Sequence, residues 1–124
     1  MSVKTVLVVD DSRIMRNIVK NTFVSMNIPC DFVEAANGRE ALRQLELQKI
    51  DLVLLDWNMP ELSGIEFLKK VRAMDQYKAL PIVMVTSEAA RYNVIEALKH
   101  GATDYLIKPV NERIFKEKLS KIKL

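Results

Sequence analysis

Five short apolar runs punctuate the chain, at residues 5–9, 31–35, 52–55, 82–85 and 105–107. Each is long enough for a β-strand and too short for a helix. Between them apolar side chains recur every three or four residues, the spacing of one helix face. After the "DDS" at 10–12 that face comprises Ile14, Met15, Ile18, Val19, Thr22 and Met26, with Ser12 in place to cap the first turn. The stretch "NGREALRQLELQ" opens with Asn37 as a cap and Glu40 three places on, then gathers Ala41, Leu42 and Leu45 on one side. Ser63 and Glu66 have capping-box spacing in a helix that buries Ile65, Phe67, Leu68, Val71 and Met74. Residues 90–100 and 111–122 supply two more helices, and Gly101 stands where a helix end favours a left-handed residue.

Strand followed by helix, five times over, with unbroken hydrophobicity in the first, third and fourth strands, predicts a parallel sheet covered on both faces. The second run, "DFVEAA", is the most polar and suits an edge. The expected fold is α/β, a doubly wound five-stranded parallel sheet of flavodoxin-like type. Its strand order, 2-1-3-4-5, is borrowed from known members of that class rather than read from these residues. Composition agrees with one domain over residues 1–124: 49% of the chain is hydrophobic and 28% charged, as in soluble globular proteins. The single Cys30 excludes an internal disulfide, and the amino terminus lacks a secretory pattern, so a cytoplasmic location is expected. No apolar run approaches the roughly 20 residues of a membrane span. A net charge of +3 raises nucleic-acid binding, yet the basic residues are interspersed with acids except in "NERIFKEKLSKIKL", which reads as a solvated helix face.

In a parallel sheet every strand ends on the same rim. Asp10 and Asp11 follow the first run, Asp56 the third, Thr86 and Ser87 the fourth, and Lys108 the fifth. Two unit charges about 4 Å apart in partly screened protein repel by roughly 4 kcal/mol, so three carboxylates on one rim call for positive charge among them. A hard divalent cation such as Mg²⁺ suits carboxylate and carbonyl oxygens, while Lys108 and Thr86 are what a phosphoryl group needs for its remaining oxygens. Any one of these acids could be an ordinary helix cap; the joint pattern on four strand ends is what points to a site. Asp31, Glu34, Asp51 and Asp104 have no such company.

"VLVVDDS", "VLLDWNMPELSGIEFLKKVR", "PIVMVTSE" and "GATDYLIKP" together resemble the receiver domains of two-component response regulators, and within that family the chemotaxis receivers. The resemblance spans essentially the whole chain. It implies that Asp56 accepts a phosphoryl group from a histidine kinase. It also implies that Asp11, Asp56 and the backbone carbonyl of Asn58 hold Mg²⁺, with Asp10 acting mainly through water. Lys108 would bind the phosphoryl oxygens, Thr86 would swing its hydroxyl toward them, and Tyr105 would turn inward in response. Asn58 and Glu88 would modulate dephosphorylation and access of a phosphatase, and the Lys108–Pro109 bond would be cis. The fourth helix, fifth strand and fifth helix would meet the partner through Tyr105, Arg91, Val94 and Lys118. That partner is expected to be the flagellar motor switch, reached by protein contact because no output domain follows Ile122. Val110 departs from the Phe of many chemotaxis receivers, and Arg91 and Tyr92 stand where Lys and an acid are common.

Two other functions fit parts of the pattern. A receiver can act as a phosphate shuttle or sink in a phosphorelay. A Mg²⁺-dependent phosphohydrolase with an aspartyl nucleophile would usually carry a second acid two places on, where this chain has Asn58. No Gly-rich phosphate loop of the G-x-x-x-x-G-K type is present. The expected protein is a signalling switch rather than an enzyme. His100 reads as a helix-end residue, and Trp57 as a reporter at the cleft mouth.

Overall fold

A computed structural model describes residues 3–122. These form five strands, β1 (Lys4–Val9), β2 (Cys30–Ala35), β3 (Leu52–Leu55), β4 (Ile82–Thr86) and β5 (Asp104–Ile107). The α-helices are α1 (Arg13–Ser25), α2 (Gly38–Leu47), α3 (Gly64–Arg72), α4 (Arg91–Lys99) and α5 (Glu112–Ser120). The strands are all parallel, in the order β2-β1-β3-β4-β5, so the polar run 31–35 does lie at an edge. Each end of the sheet-to-helix connections carries its own chemistry: Ser12, Asn37, Ser63 and Asn111 each accept a backbone N–H in the first turn of the helix they precede. Ser63 and Glu66 form the reciprocal capping box. At the far end of α4 the predicted left-handed residue is Gly101, with φ at 102°.

Strand alternation divides the core in two. Leu7, Val9, Val53, Leu55, Ile82 and Met84 pack with the buried faces of α2, α3 and α4, while Val6, Val8, Leu52, Leu54, Val83 and Val85 pack with α1 and α5. This is why β1, β3 and β4 read as unbroken apolar runs.

Helix α1 departs from the expected face. Ile14 is 73% exposed and Ile18 42%, whereas Val19 and Phe23 are buried. Phe23, absent from the predicted face, sits edge-on to Phe115 of α5 at 5.2 Å and to Phe32 of β2 at 5.6 Å. Fully burying a side chain of that size contributes about 1.5–3 kcal/mol, enough to set the rotation of the helix about its axis. Met74, expected in the face of α3, lies beyond the end of that helix and is 39% exposed.

The loop from β3 to α3 closes through Gly64, whose N–H donates to the Trp57 carbonyl at 2.8 Å. A Cβ on Gly64 would fall 1.9 Å from the Asp56 carbonyl oxygen, which backbone cannot vacate cheaply. In an ordinary helix position Gly→Ala stabilises by about 0.5–1 kcal/mol. Gly64→Ala is expected to do the opposite and destabilise by about 2 kcal/mol or more in urea unfolding. An unchanged or raised midpoint would show that the contact is not tight.

Candidate functional site

Just beyond the regular pairing, backbone hydrogen bonds tie the carboxyl end of β1 to that of β2, β3 to β1 and β5 to β4. Asp10 N–H donates to Ala35 (3.1 Å), Asp56 N–H to Val9 (2.9 Å) and Lys108 N–H to Thr86 (2.9 Å). These bonds join residues 22 to 47 positions apart in sequence along one rim. Among the described residues the buried polar side chains are Asp10, Asp56 and Thr86, at 5%, 7% and 0% exposure. All three belong to this rim.

Carboxylate oxygens of Asp10, Asp11 and Asp56 lie within 4.8 Å of one another. Lys108 Nζ reaches Asp10 Oδ2 at 2.8 Å and Asp56 Oδ2 at 3.3 Å. Asp10 Oδ1 also accepts the Ser12 N–H at 2.9 Å, and Asp56 Oδ1 accepts the Trp57 N–H at 2.7 Å. Asp11 is exposed. One ammonium group meets two of the three carboxylates at hydrogen-bond distance, so the cluster retains an anionic excess. A donor set of carboxylates with an adjacent loop carbonyl is the kind that hard divalent cations take.

Burial is the main influence on the Asp56 carboxyl and raises its pKa above the ordinary aspartate value. The Asp10 charge adds to this, while the Thr86 hydroxyl, Lys108 and the Trp57 N–H work against it. Burial alone would lower the Lys108 ammonium, but its hydrogen bond to Asp10 and the charges of Asp56 and Asp10 outweigh that and raise it. Lys108 therefore stays charged in the cleft. Burial, then the Glu88 and Asp56 charges, push the Tyr105 phenol up to about 12.

Beside the acids runs a chain of polar contacts. Asn58 Nδ2 donates to Glu88 Oε1 at 2.5 Å, and Asn93 Nδ2 donates to Glu88 Oε2 at 3.2 Å. Glu88 N–H donates to Thr86 Oγ1 at 3.2 Å, and the Tyr105 hydroxyl donates to the Glu88 carbonyl at 2.5 Å. Thr86, Glu88 and Tyr105 are thus one connected unit, with the Tyr105 ring buried at 6% exposure. Asn93 was not singled out from the sequence; its spacing from Glu88 carries no signal until the loop geometry is known.

Of the expected partner residues, Arg91 is exposed, Val94 is half-buried against the core, and Lys118 is paired with Asp104 at 2.9 Å. Tyr105, Ile107, Pro109, Val110, Ile114 and Lys118 line a groove of about 240 Å³ on this face. Three of the acids set aside above have partners away from the rim cluster: Glu34 accepts from Arg16 Nε and Lys20 Nζ, both at 2.9 Å, Asp51 accepts the Thr5 N–H at 2.8 Å, and Asp104 holds Lys118. Lys108–Pro109 is cis.

Residues 6–120 match the family described as response regulator receiver domain. The chain belongs to that family. The receiver is 46% identical to the chemotaxis protein CheY1 of Helicobacter pylori strain J99 over 91% of this chain and 91% of that one. Its fold matches the chemotaxis protein CheY4 of Vibrio cholerae with a TM-score of 0.87 at 36% identity, covering 98% of this chain and 100% of that one. The receiver domain of the sensor histidine kinase PA1611 from Pseudomonas aeruginosa matches with a TM-score of 0.84 at 25% identity, over 98% of both chains. That structure has a magnesium ion coordinated in its active-site cleft. This chain is therefore a receiver closely related to the CheY chemotaxis regulators, a family of signalling switches.

Because the folded state raises the Asp56 pKa, the native receiver binds a proton there more tightly than the unfolded chain does. Stability then falls as pH rises from the unfolded value through the raised one, and ionised Asp56 is a net cost at neutral pH. Asp56→Asn should stabilise the receiver at pH 7 in metal-free buffer, seen as a higher urea midpoint than the wild type. The gain should shrink as pH falls from the raised value towards the ordinary carboxylate range and vanish below it. Equal urea midpoints at neutral pH would show that Lys108 already cancels the cost.

Proposed function

We propose that this receiver is a phosphorylation-controlled switch of chemotaxis, with Asp56 as the acceptor. An Asp56 carboxylate oxygen attacks the phosphorus of a phosphohistidine on the kinase, the P–N bond breaks, and its electron pair leaves with the imidazole. Attack by one anion on another is slow unless the repulsion is offset and the reacting groups are held in line. Lys108 lies within hydrogen-bond reach of Asp56 and faces the space the phosphoryl oxygens would occupy, and Thr86 supplies a hydroxyl from the neighbouring strand. Asp11, Asp56 and the Asn58 carbonyl would hold Mg²⁺, with Asp10 acting mainly through water. When bound, the ion neutralises charge developing on the transferred group. The observation that carries the reading is Lys108 joined to both Asp10 and Asp56 inside a cluster of three carboxylates.

The switch has a route outward. Movement of the Thr86 hydroxyl toward a phosphoryl group disturbs its bond from Glu88 N–H, and Glu88 in turn holds Tyr105. Phosphorylation would favour one of two arrangements of this unit and alter the affinity of the face formed by α4, β5 and α5. The kinship with chemotaxis regulators supports a histidine kinase as donor and the flagellar motor switch as target, with Tyr105, Arg91, Val94 and Lys118 at the contact. It likewise supports a stand-alone receiver acting in the cytoplasm and open to a phosphatase. The described residues contain no helix long and apolar enough to cross a membrane.

Intact mass after treatment with acetyl phosphate and Mg²⁺ should show one phosphoryl adduct on the wild type and none on Asp56→Asn. An adduct on both would place the acceptor elsewhere. Asn58 and Glu88 touch each other, so their effects on the adduct's half-life should not add. A double-mutant cycle with Asn58→Ala and Glu88→Ala should yield a coupling of about 0.5–3 kcal/mol in the barrier to hydrolysis. Strict additivity would mean that the two residues act separately.

A further inference from the structure

Arg16 is not needed by the phosphoryl chemistry described above, yet it is a largely buried cation near the cleft. Its side chain is 14% exposed, with Nη1 2.6 Å from the Asp10 carbonyl oxygen and Nε 2.9 Å from Glu34 Oε1. The guanidinium is planar and its donors are rigidly spaced, so two bonds in different directions fix both its plane and the groups it holds. Glu34 stands on the edge strand β2 and is braced from its other oxygen by Lys20 at 2.9 Å. These two cations, the Lys20 hydrogen bond first, keep the Glu34 carboxyl below its ordinary range, so it remains an anion for Arg16 to grip.

The grip falls on a peptide that matters. The Asp10 carbonyl and the Asp11 N–H share one rigid plane, so fixing that oxygen fixes the departure of the chain into Asp11. The Asp11 carboxylate has little else to place it: it is exposed, and no hydrogen bond or ion pair among the described residues holds it. Asp10, by contrast, is secured by Ala35, Ser12 and Lys108. Supports of this kind, one shell removed from a metal ligand, typically change metal affinity by about 10–100-fold when broken.

We infer that Arg16, anchored by Glu34, is a positioning residue that sets the orientation of Asp11 and thereby the affinity of the acid cluster for a divalent cation. The inference rests on the reading of that cluster as the Mg²⁺ site. Electrostatics alone makes the contrary prediction. Removing a positive charge beside a cation site should tighten cation binding, so the sign of the change separates positioning from charge.

Calorimetric titration of the full chain with Mg²⁺ alone tests this. Arg16→Met and Arg16→Lys should both weaken binding by about 10-fold, the latter because an ammonium keeps the charge and loses the fork. Glu34→Gln should weaken it in the same direction, and the Arg16 and Glu34 effects should not add. Lys20→Met, which removes the brace on the second Glu34 oxygen but leaves both Arg16 bonds in place, should weaken binding less than Glu34→Gln does. Urea midpoints for each variant establish that the folded protein is being titrated, and Glu34→Gln serves should either Arg16 variant fail to fold. Wild-type binding that survives or tightens in Arg16→Met overturns this inference alone. No saturable Mg²⁺ heat in the wild type would sink the metal reading and this inference with it.

Discussion

The mutual repulsion of Asp10, Asp11 and Asp56 is the constraint around which the receiver is arranged. Left to itself a flexible rim would spread these carboxylates into water, where separation and screening remove most of the cost. Here they cannot spread. Asp10 and Asp56 are fixed by backbone pairing to Ala35 and Val9, and they are buried where hydration is weakest. A core buried on both faces of β1, β3 and β4 supplies the stability that this arrangement consumes. Lys108 relieves part of the strain by reaching both acids, and the excess that remains is what a divalent cation or a phosphoryl centre finds attractive.

That arrangement also explains why the site and its output can communicate. Thr86 is fully buried at the end of a central strand, so its hydroxyl has few positions available. Its neighbour two places on, Glu88, uses backbone N–H, backbone carbonyl and carboxylate for four different partners: Thr86, Tyr105 and the amides of Asn58 and Asn93. A change at any one of them is felt by the others through a single residue. Tyr105 lies on β5 and also lines the apolar groove beside Lys118, so the end of this polar unit is part of the surface a partner would meet.

What the sequence disclosed follows from which physical rules are local. Strand runs, helix caps and the residue after each strand are local patterns, and a parallel sheet converts the last of these into a cluster without further information. The rotation of α1 was not legible, because Ile14 and Ile18 are as apolar as Val19 and Phe23. The choice was made by Phe115 and Phe32, which meet Phe23 only in the folded sheet. Glu34 looked like any edge-strand acid. Its partner Arg16 lies 18 residues earlier on a helix, and no spacing rule links an edge strand to the first turns of the helix before it. The Asp104–Lys118 pair was hidden for the same reason, although both residues sit at the ends of correctly placed elements.

The three acids are not equivalent, and their supports say how labour is divided among them. Asp10 is buried, accepts from Lys108 and from the Ser12 N–H, and has both its backbone N–H and carbonyl engaged. A group so committed is suited to fixing a field rather than to moving within it. Asp56 is buried with a carboxyl raised above its ordinary range, which keeps its electron pairs available to an electrophile once a cation and Lys108 balance its charge. Asp11 alone is exposed and unheld by hydrogen bonds among the described residues. It can adjust to an ion arriving from solvent without breaking protein contacts, provided that the peptide before it is stationary. Rigidity in the backbone and freedom in that one side chain are complementary requirements, and the Arg16 bond to the Asp10 carbonyl meets the first without limiting the second.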